Sequence, residues 1–431
     1  MAFDNDELNK RRDDREKLRR SYDTQVKWMK RVLILTMSVT LLCCGALLVV
    51  RQGWLDLLLQ APTPQPEQTQ PTETVPVESP DTVIHLVAGG DVNITDQVVA
   101  AGALTGGFDY TDMFLDVQAI LSAADLTTLN FEGNVFGDEY GTQSRSAPAQ
   151  LLDALRRAGV DLLQTANSQS VTNGILGLSA TLQAIRQAKL QPVGTFANTE
   201  EFEKTGGYVI REVAGVRIAF VAFTKGMDGR GLPLGSENCV NLLYTDYNTT
   251  YQKVDEDGIT RILRAVADEE PDLTVALLHW GSEFNDQFST TQKKICKLMD
   301  QLGVDAIIGT HSHYVQGIGK YPDTDMLVAS SLGDFLGDGD KAGTNYSILL
   351  DLEITKDGDS GETKITGFSY TPIFLDTTGG NVRVLRIREA MTAYESNYIN
   401  KVTPEVYEAM RSALLRIEDR VTKPIVQEQK K

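Results

Sequence analysis

A chain of 431 residues and 47.4 kDa is long enough for two or three domains, which excludes a disulfide-stapled miniprotein. Its 42% hydrophobic and 23% charged residues are ordinary for a chain that folds. Forty-one basic against fifty-nine acidic residues leave −18, which argues against a general nucleic-acid binder, because neutralising phosphates needs a basic surface.

The charge is unevenly placed. Residues 1–31 carry ten Lys or Arg against seven Asp or Glu, whereas residues 52–431 carry thirty against fifty-two. Between the basic head and the acidic body, residues 32–50 (VLILTMSVTLLCCGALLVV) run nineteen positions without a charge. At 1.5 Å per residue such a helix just crosses a hydrocarbon core of ~30 Å. A buried core helix would not lead at once into a Pro-rich tract, and a signal peptide seldom has so long a head, so an uncleaved single-pass anchor is expected. Lipidation at Cys43 or Cys44 is disfavoured, since Leu42 or Cys43 stands where a small residue normally precedes an acylated Cys. The positive-inside rule then places the head in the cytoplasm and everything after Arg51 outside the cell membrane. Residues 61–80 hold six of the fourteen prolines and two valines as their only sizeable apolar side chains, so 51–81 is expected to be an extended spacer.

From residue 82 the texture changes. Apolar runs at 83–88, 126–131, 161–165, 274–278, 306–308 and 326–329 predict strands, several of them apolar on both faces. Helical spacing occupies 111–123, 149–158, 178–188, 259–267 and 290–303. The alternation predicts a layered α/β domain over 82–378, with sites where loops leave the carboxyl ends of strands. Residues 208–223, centred on Ala214-Gly215, predict a hairpin inserted in that pattern; 346–354 and 364–375 predict late antiparallel strands. The remainder, 379–431, is expected to be a helical extension with a helix over 403–421. Cys239 and Cys296 are the only body cysteines, and whether they pair stays open. No CxxC or Cys/His zinc pattern occurs.

Of four histidines, His85 lies within the first strand run, while His279, His311 and His313 follow apolar strand runs directly. The sequence Gly309-Thr310-His311-Ser312-His313 projects two imidazoles from one strand exit, a spacing suited to chelating a metal. The exits at Gly90-Asp91-Val92-Asn93 and Asn130-Phe131-Glu132-Gly133-Asn134 add oxygen donors. Each alone reads as a turn, because Gly, Asp and Asn favour turns. Four donor-bearing exits together predict a dinuclear centre.

The order of these motifs, with Ala166-Asn167, Gly174, Gly177-Leu178, His279-Trp280-Gly281 and Ser331-Leu332-Gly333-Asp334-Phe335, resembles the CapA family over about residues 83–376. Its members are poly-gamma-glutamate capsule biosynthesis proteins with a domain similar to calcineurin-like metallophosphoesterases. The resemblance implies metal-site roles for Asp91, Asn93, Glu132, His279, His311 and His313, with Glu132 as bridge and Mn, Fe or Zn as ions. Catalytic roles are expected for His279 and His313, and substrate contacts for Asn134, Arg145, Asn167 and Gln169. The chain departs from the family at its third motif: Ser168 and Gln169 stand where an Asn ligand and an assisting His are usual. Ser is a poor neutral ligand, and Gln cannot act as a general acid near neutral pH.

Three functions follow from this pattern. The first is an anchored surface protein for synthesis or export of poly-gamma-glutamate or a similar anionic polymer, with the capsule export machinery as partner and Arg145, Lys225 and Arg230 as candidate polymer contacts. The second is a metal-dependent phosphoesterase at the cell surface, and the third a noncatalytic scaffold with a degenerate site. No P-loop, dinucleotide fingerprint or Gly-x-Ser-x-Gly elbow is present.

Overall fold

The computed structural model describes residues 79–398 and 401–425. The expected head, the span at 32–50 and all but residues 79–81 of the spacer lie outside the described residues. Among those described, no helix is long and apolar enough to cross a membrane.

The chain runs through β1 (Thr82–Asn93), α1 (Asp96–Ala101), a small hairpin of β2 (Ala103–Leu104) and β3 (Gly107–Phe108), a 3-10 turn Thr111–Phe114, α2 (Leu115–Ala123) and β4 (Leu126–Glu132). It continues with α3 (Gln150–Ala158), β5 (Leu162–Gln164), α4 (Gly174–Gln187), β6 (Gln191–Val193), α5 (Thr199–Thr205), β7 (Tyr208–Val213) and β8 (Val216–Thr224). Next come α6 (Glu256–Ala267), β9 (Leu273–His279), α7 (Thr290–Gln301), β10 (Ala306–Thr310), β11 (Ile318–Lys320), β12 (Leu327–Ala329) and β13 (Asp334–Leu336). β14 (Tyr346–Lys356), β15 (Thr363–Asp376), β16 (Arg383–Arg386), α8 (Ile387–Glu395) and α9 (Pro404–Val421) complete it.

Two sheets result. One has the order β16-β15-β14-β1-β4-β5-β6, with β13 lying along the end of β1; the other has the order β11-β12-β10-β9-β8-β7. They face each other across a core that includes Leu86, Leu162, Phe220, Val275, Ile308 and Leu350. On the far face of the first sheet, Val87, Leu129 and Leu163 meet Leu121 of α2 and Leu155 of α3. On the far face of the second, Val221, Leu278 and Val328 meet Ile262 of α6 and Met299 of α7. Helices therefore cover both outer faces, which is why the central strands read as apolar on both sides.

Local chemistry sets the element ends. Ser289 and Gln292 form a reciprocal capping box at the start of α7. Thr403 accepts from the Val406 amide ahead of Pro404 to open α9. Ala214 and Gly215 both take positive φ (50° and 79°), as a two-residue turn of this hand requires. The hairpin at 208–223 is less of an insertion than expected, since β8 also runs parallel to β9 and only β7 is an edge.

Two other expectations are corrected. β1 extends five residues past the apolar run, through Gly89-Gly90 to Asn93, because β13 lies against it. A Cβ at Gly90 would sit 1.7 Å from the Gly333 carbonyl oxygen, so only glycine permits this approach. The division at residue 379 has no counterpart in the packing, since β16 pairs with β15, and Val406, Met410 and Ile417 of α9 enter the core between the sheets. The short Val-Leu run in β16 carries too weak a pattern to announce a strand. Cys239 and Cys296 are free thiols buried in different clusters, so they form no bridge.

Candidate metal centre

Adjacent strand ends bring the donors together. β1 and β4 align Asp91 with Asn130 and Asn93 with Glu132; β1 and β13 align Asp91 with Asp334. In the second sheet, β9 and β10 align His279 with Thr310, immediately before His311. All the carboxylates thus come from one sheet and all the imidazoles from the other.

Two groups have their ligand atoms within 4.8 Å of one another: Asp91, Glu132 and His279, and Asp91, His313 and Asp334. Asp91, not Glu132, is common to both. Its carboxylate accepts from Asn130 Nδ2 at 2.5 Å and from the His311 amide at 3.2 Å. His313 Nδ1 lies 2.8 Å from Asp334 and 3.8 Å from Asp91, while His279 Nε2 lies 3.6 Å from Glu132. The His279 and His311 ring centroids are 4.5 Å apart.

Burial makes the electrostatics severe. It pushes Asp91 up to about 7 against the pull of charged His313. It raises Glu132 well above the carboxylate range, reinforced by the charge of Asp91, and raises Asp334 as well. It holds His279 and His311 well below the imidazole range. For His313 burial also lowers, but the Asp334 carboxylate outweighs it and carries the group up to about 10.

Both ring nitrogens of His311, and Glu132 Oε2, are buried with no hydrogen-bond partner. Leaving such an atom unpaired costs ~1–3 kcal/mol. His311 and His313 also hold φ of 87° and 60°, a left-handed backbone that costs a non-glycine residue ~1–3 kcal/mol. Unpartnered imidazole, crowded carboxylate and strained turn all coincide, and a divalent cation would relieve the first two. The donor set of nitrogen and carboxylate oxygen suits Mn, Fe or Zn alike.

The remaining candidates serve varied roles. Asn93 is aligned with Glu132 and hydrogen-bonds to Asp334. Ser168 Oγ is 3.0 Å from His279 Nε2. Asn167 is fully buried and braces Asn130 (3.0 Å) and the Phe131 carbonyl (2.8 Å). Gln169 donates to Asp228 at 3.0 Å and accepts from Thr172 at 2.7 Å. The Asn134 side chain donates to the Gln169 carbonyl and its backbone amide donates to the Arg145 carbonyl, which brings the Arg145 backbone to the edge of the site. A cleft of about 210 Å³, lined by Ser168, Lys225, Asp228, Tyr251, Glu283 and His311, opens onto the cluster. Arg230 lies 3.6 Å from Asp228.

Sequence reasoning missed Asp334, Asn130 and Asp228 as members of the site. The first had a signal, since Gly333-Asp334 repeats the Gly90-Asp91 pair. It missed Phe284 too, whose ring stacks on His313 at 5.0 Å and lies under the Lys341 ammonium at 3.4 Å.

The profile of the bacterial capsule synthesis protein PGA_cap family matches residues 85–339. Capsule biosynthesis protein CapA of Bacillus anthracis is 26% identical over 262 residues, covering 58% of this chain and 59% of that protein. PGA biosynthesis protein CapA of Bacillus subtilis (strain 168) is 27% identical over 267 residues, covering 61% and 64%. The chain thus spans less than two thirds of the length of either relative. Among solved structures, calcineurin-like phosphoesterase YfkN from Bacillus subtilis gives a TM-score of 0.40 at 16% identity, covering 77% of this chain and 100% of that one. A phosphatase from Mycoplasma pneumoniae gives 0.43 at 16%, covering 68% and 94%.

Proposed function

Because the chain belongs to the bacterial capsule synthesis protein PGA_cap family, we propose that it serves the synthesis or export of an anionic surface polymer through a divalent-metal centre. In this reading residues 32–50 anchor it in the cell membrane with the body outside, where it meets the polymer and the export machinery. The observation that carries the metal centre is the pair of buried carboxylate–imidazole groups sharing Asp91, beside a His311 with neither ring nitrogen satisfied. Charge supports it: thirty basic minus fifty-two acidic residues leave the body at −22, which repels an anionic polymer unless cations offset it.

Asp91, Glu132, His279 and His311 would hold one ion, and Asp91, His313 and Asp334 a second. A bound divalent ion supplies Lewis acidity toward an oxyanion or water. The chain's own residues do the positioning. Asn130 and the His311 amide orient Asp91. Asp334 orients the His313 ring through Nδ1, and Phe284 stacks on its face. Gln169, tied to Asp228 and Thr172, has no proton to give at neutral pH. A phosphoesterase is the second reading, favoured by the cleft that opens on His311 and Ser168.

Metal analysis of the full chain after dialysis, beside a His311→Ala, His313→Ala variant, tests the centre. About two ions per chain, lost in the variant, are expected. No bound ion in either protein after divalent ions are resupplied would refute it.

A further inference from the structure

Lys225 leaves the end of β8, and three contacts pin it. Its amide donates to the His279 carbonyl at 2.8 Å, its Nζ donates to the Gly281 carbonyl at 2.8 Å, and its ammonium sits 4.7 Å from the Tyr251 ring centroid. Tyr251 is itself locked against Tyr244, and its loop packs so closely on Gly226 that a Cβ there would lie 2.1 Å from the Tyr247 carbonyl. A surface lysine loses up to ~2 kcal/mol of side-chain entropy when fixed; here the fold has already ordered it.

The ammonium has three N–H donors, and one is given to Gly281. Asp228 and Glu283 line the same cleft, but among the described residues no carboxylate forms an ion pair with Lys225. Asp228 is engaged by Gln169 and Arg230 instead. His311, with both ring nitrogens unpartnered, lines the same cleft.

We infer that Lys225, backed by Tyr251, is an oxyanion subsite that holds a carboxylate or phosphoryl group of the ligand beside His311. This rests on reading the buried cluster as the working centre, since the cleft opens onto it. The ordered ammonium donates two charge-assisted bonds, and the Tyr251 face keeps it aimed into the cleft.

The test is a lysine footprint on the full chain. Trinitrobenzenesulfonate labelling of Lys225, mapped by peptide mass spectrometry, is measured with inorganic phosphate, with glutarate and with chloride at matched ionic strength. Phosphate or glutarate at about nine times its half-saturating concentration is expected to slow labelling about tenfold, with chloride inert. Protection by either supports the subsite, and the stronger of the two identifies the ligand chemistry. By calorimetry, Lys225→Ala should weaken binding of the same probe by about tenfold to a hundredfold, with part recovered in Lys225→Arg. No protection by either anion overturns the subsite, and where the Ala variant fails to fold, the wild-type footprint alone decides. Metal content is measured on the same samples. A metal-free wild type whose Lys225 is still protected would sink the metal centre and spare the subsite.

Discussion

Asp91→Asn separates a carboxylate held for a cation from one that merely stabilises the fold. Asp91 is fully buried, and burial lifts it from the ordinary carboxylate value of 3.8 to about 7. At ~1.36 kcal/mol per pKa unit, keeping it ionised costs the metal-free fold about 4 kcal/mol above pH 7. The sign follows from the raised value: the penalty is absent below the unfolded pKa, grows as pH rises between about 4 and 7, and is constant beyond. Asn removes the charge but supplies one acceptor where Asp91 accepts both Asn130 Nδ2 and the His311 amide, so one donor is orphaned at ~1–3 kcal/mol. The net expectation at pH 8 in chelator is a gain of ~1–3 kcal/mol for Asp91→Asn, shrinking by about 3 kcal/mol at pH 5. The assay is urea unfolding of both chains at the two pH values. With saturating divalent metal the order should reverse, because only the wild type gains from the ion. A chelated Asp91→Asn chain less stable than wild type at pH 8 would refute the reasoning, by showing that His313 alone compensates the charge.

Gly90→Ala places a Cβ 1.7 Å from the Gly333 oxygen, so β13 must retreat and carry Asp334 away from Asp91. Calorimetric unfolding should show a loss of ~3 kcal/mol or more, and metal analysis the loss of one ion. Ser168→Asn with Gln169→His restores the family's usual third motif, with Asp228 already placed to receive the new imidazole and the cleft leaving room for the amide. Hydrolysis of a chromogenic phosphate ester should rise by about 10²-fold or more; an unchanged rate would say that this cleft does not accept phosphate esters. Away from the site, burial would raise Asp272, but the Arg217 amide and Lys356 hold it below the usual range. Its contribution is present above the unfolded pKa and lost as pH falls through the lower folded value. Asp272→Asn should therefore cost ~1 kcal/mol at pH 7 and nothing in strong acid, read from paired unfolding curves.

Much of the layered architecture was legible because its central strands are buried on both faces, and runs such as Val275 to Leu278 announce that without context. β13 was not legible, because three residues carry no period; it exists only because Gly90 and Gly333 allow a close approach. The donors at strand exits could be gathered from composition and order. What each side chain faces could not: Asn167 braces Asn130 from within the core, and Asn93 hydrogen-bonds to Asp334. Such assignments depend on rotamers and on register between strands far apart in sequence, as with the 149 residues separating Asn130 from His279. Phe284 over His313 was invisible for the same reason.

The split of acids onto one sheet and imidazoles onto the other has a consequence for assembly. Neither sheet alone offers a mixed donor set, so an ion can be captured only after the two halves have docked in register. Coordination would then act as a late-closing cross-link between layers otherwise joined by apolar side chains. Chelation should accelerate amide exchange at the carboxyl ends of β1, β4, β9 and β10 and leave the distant edge at β7 unchanged.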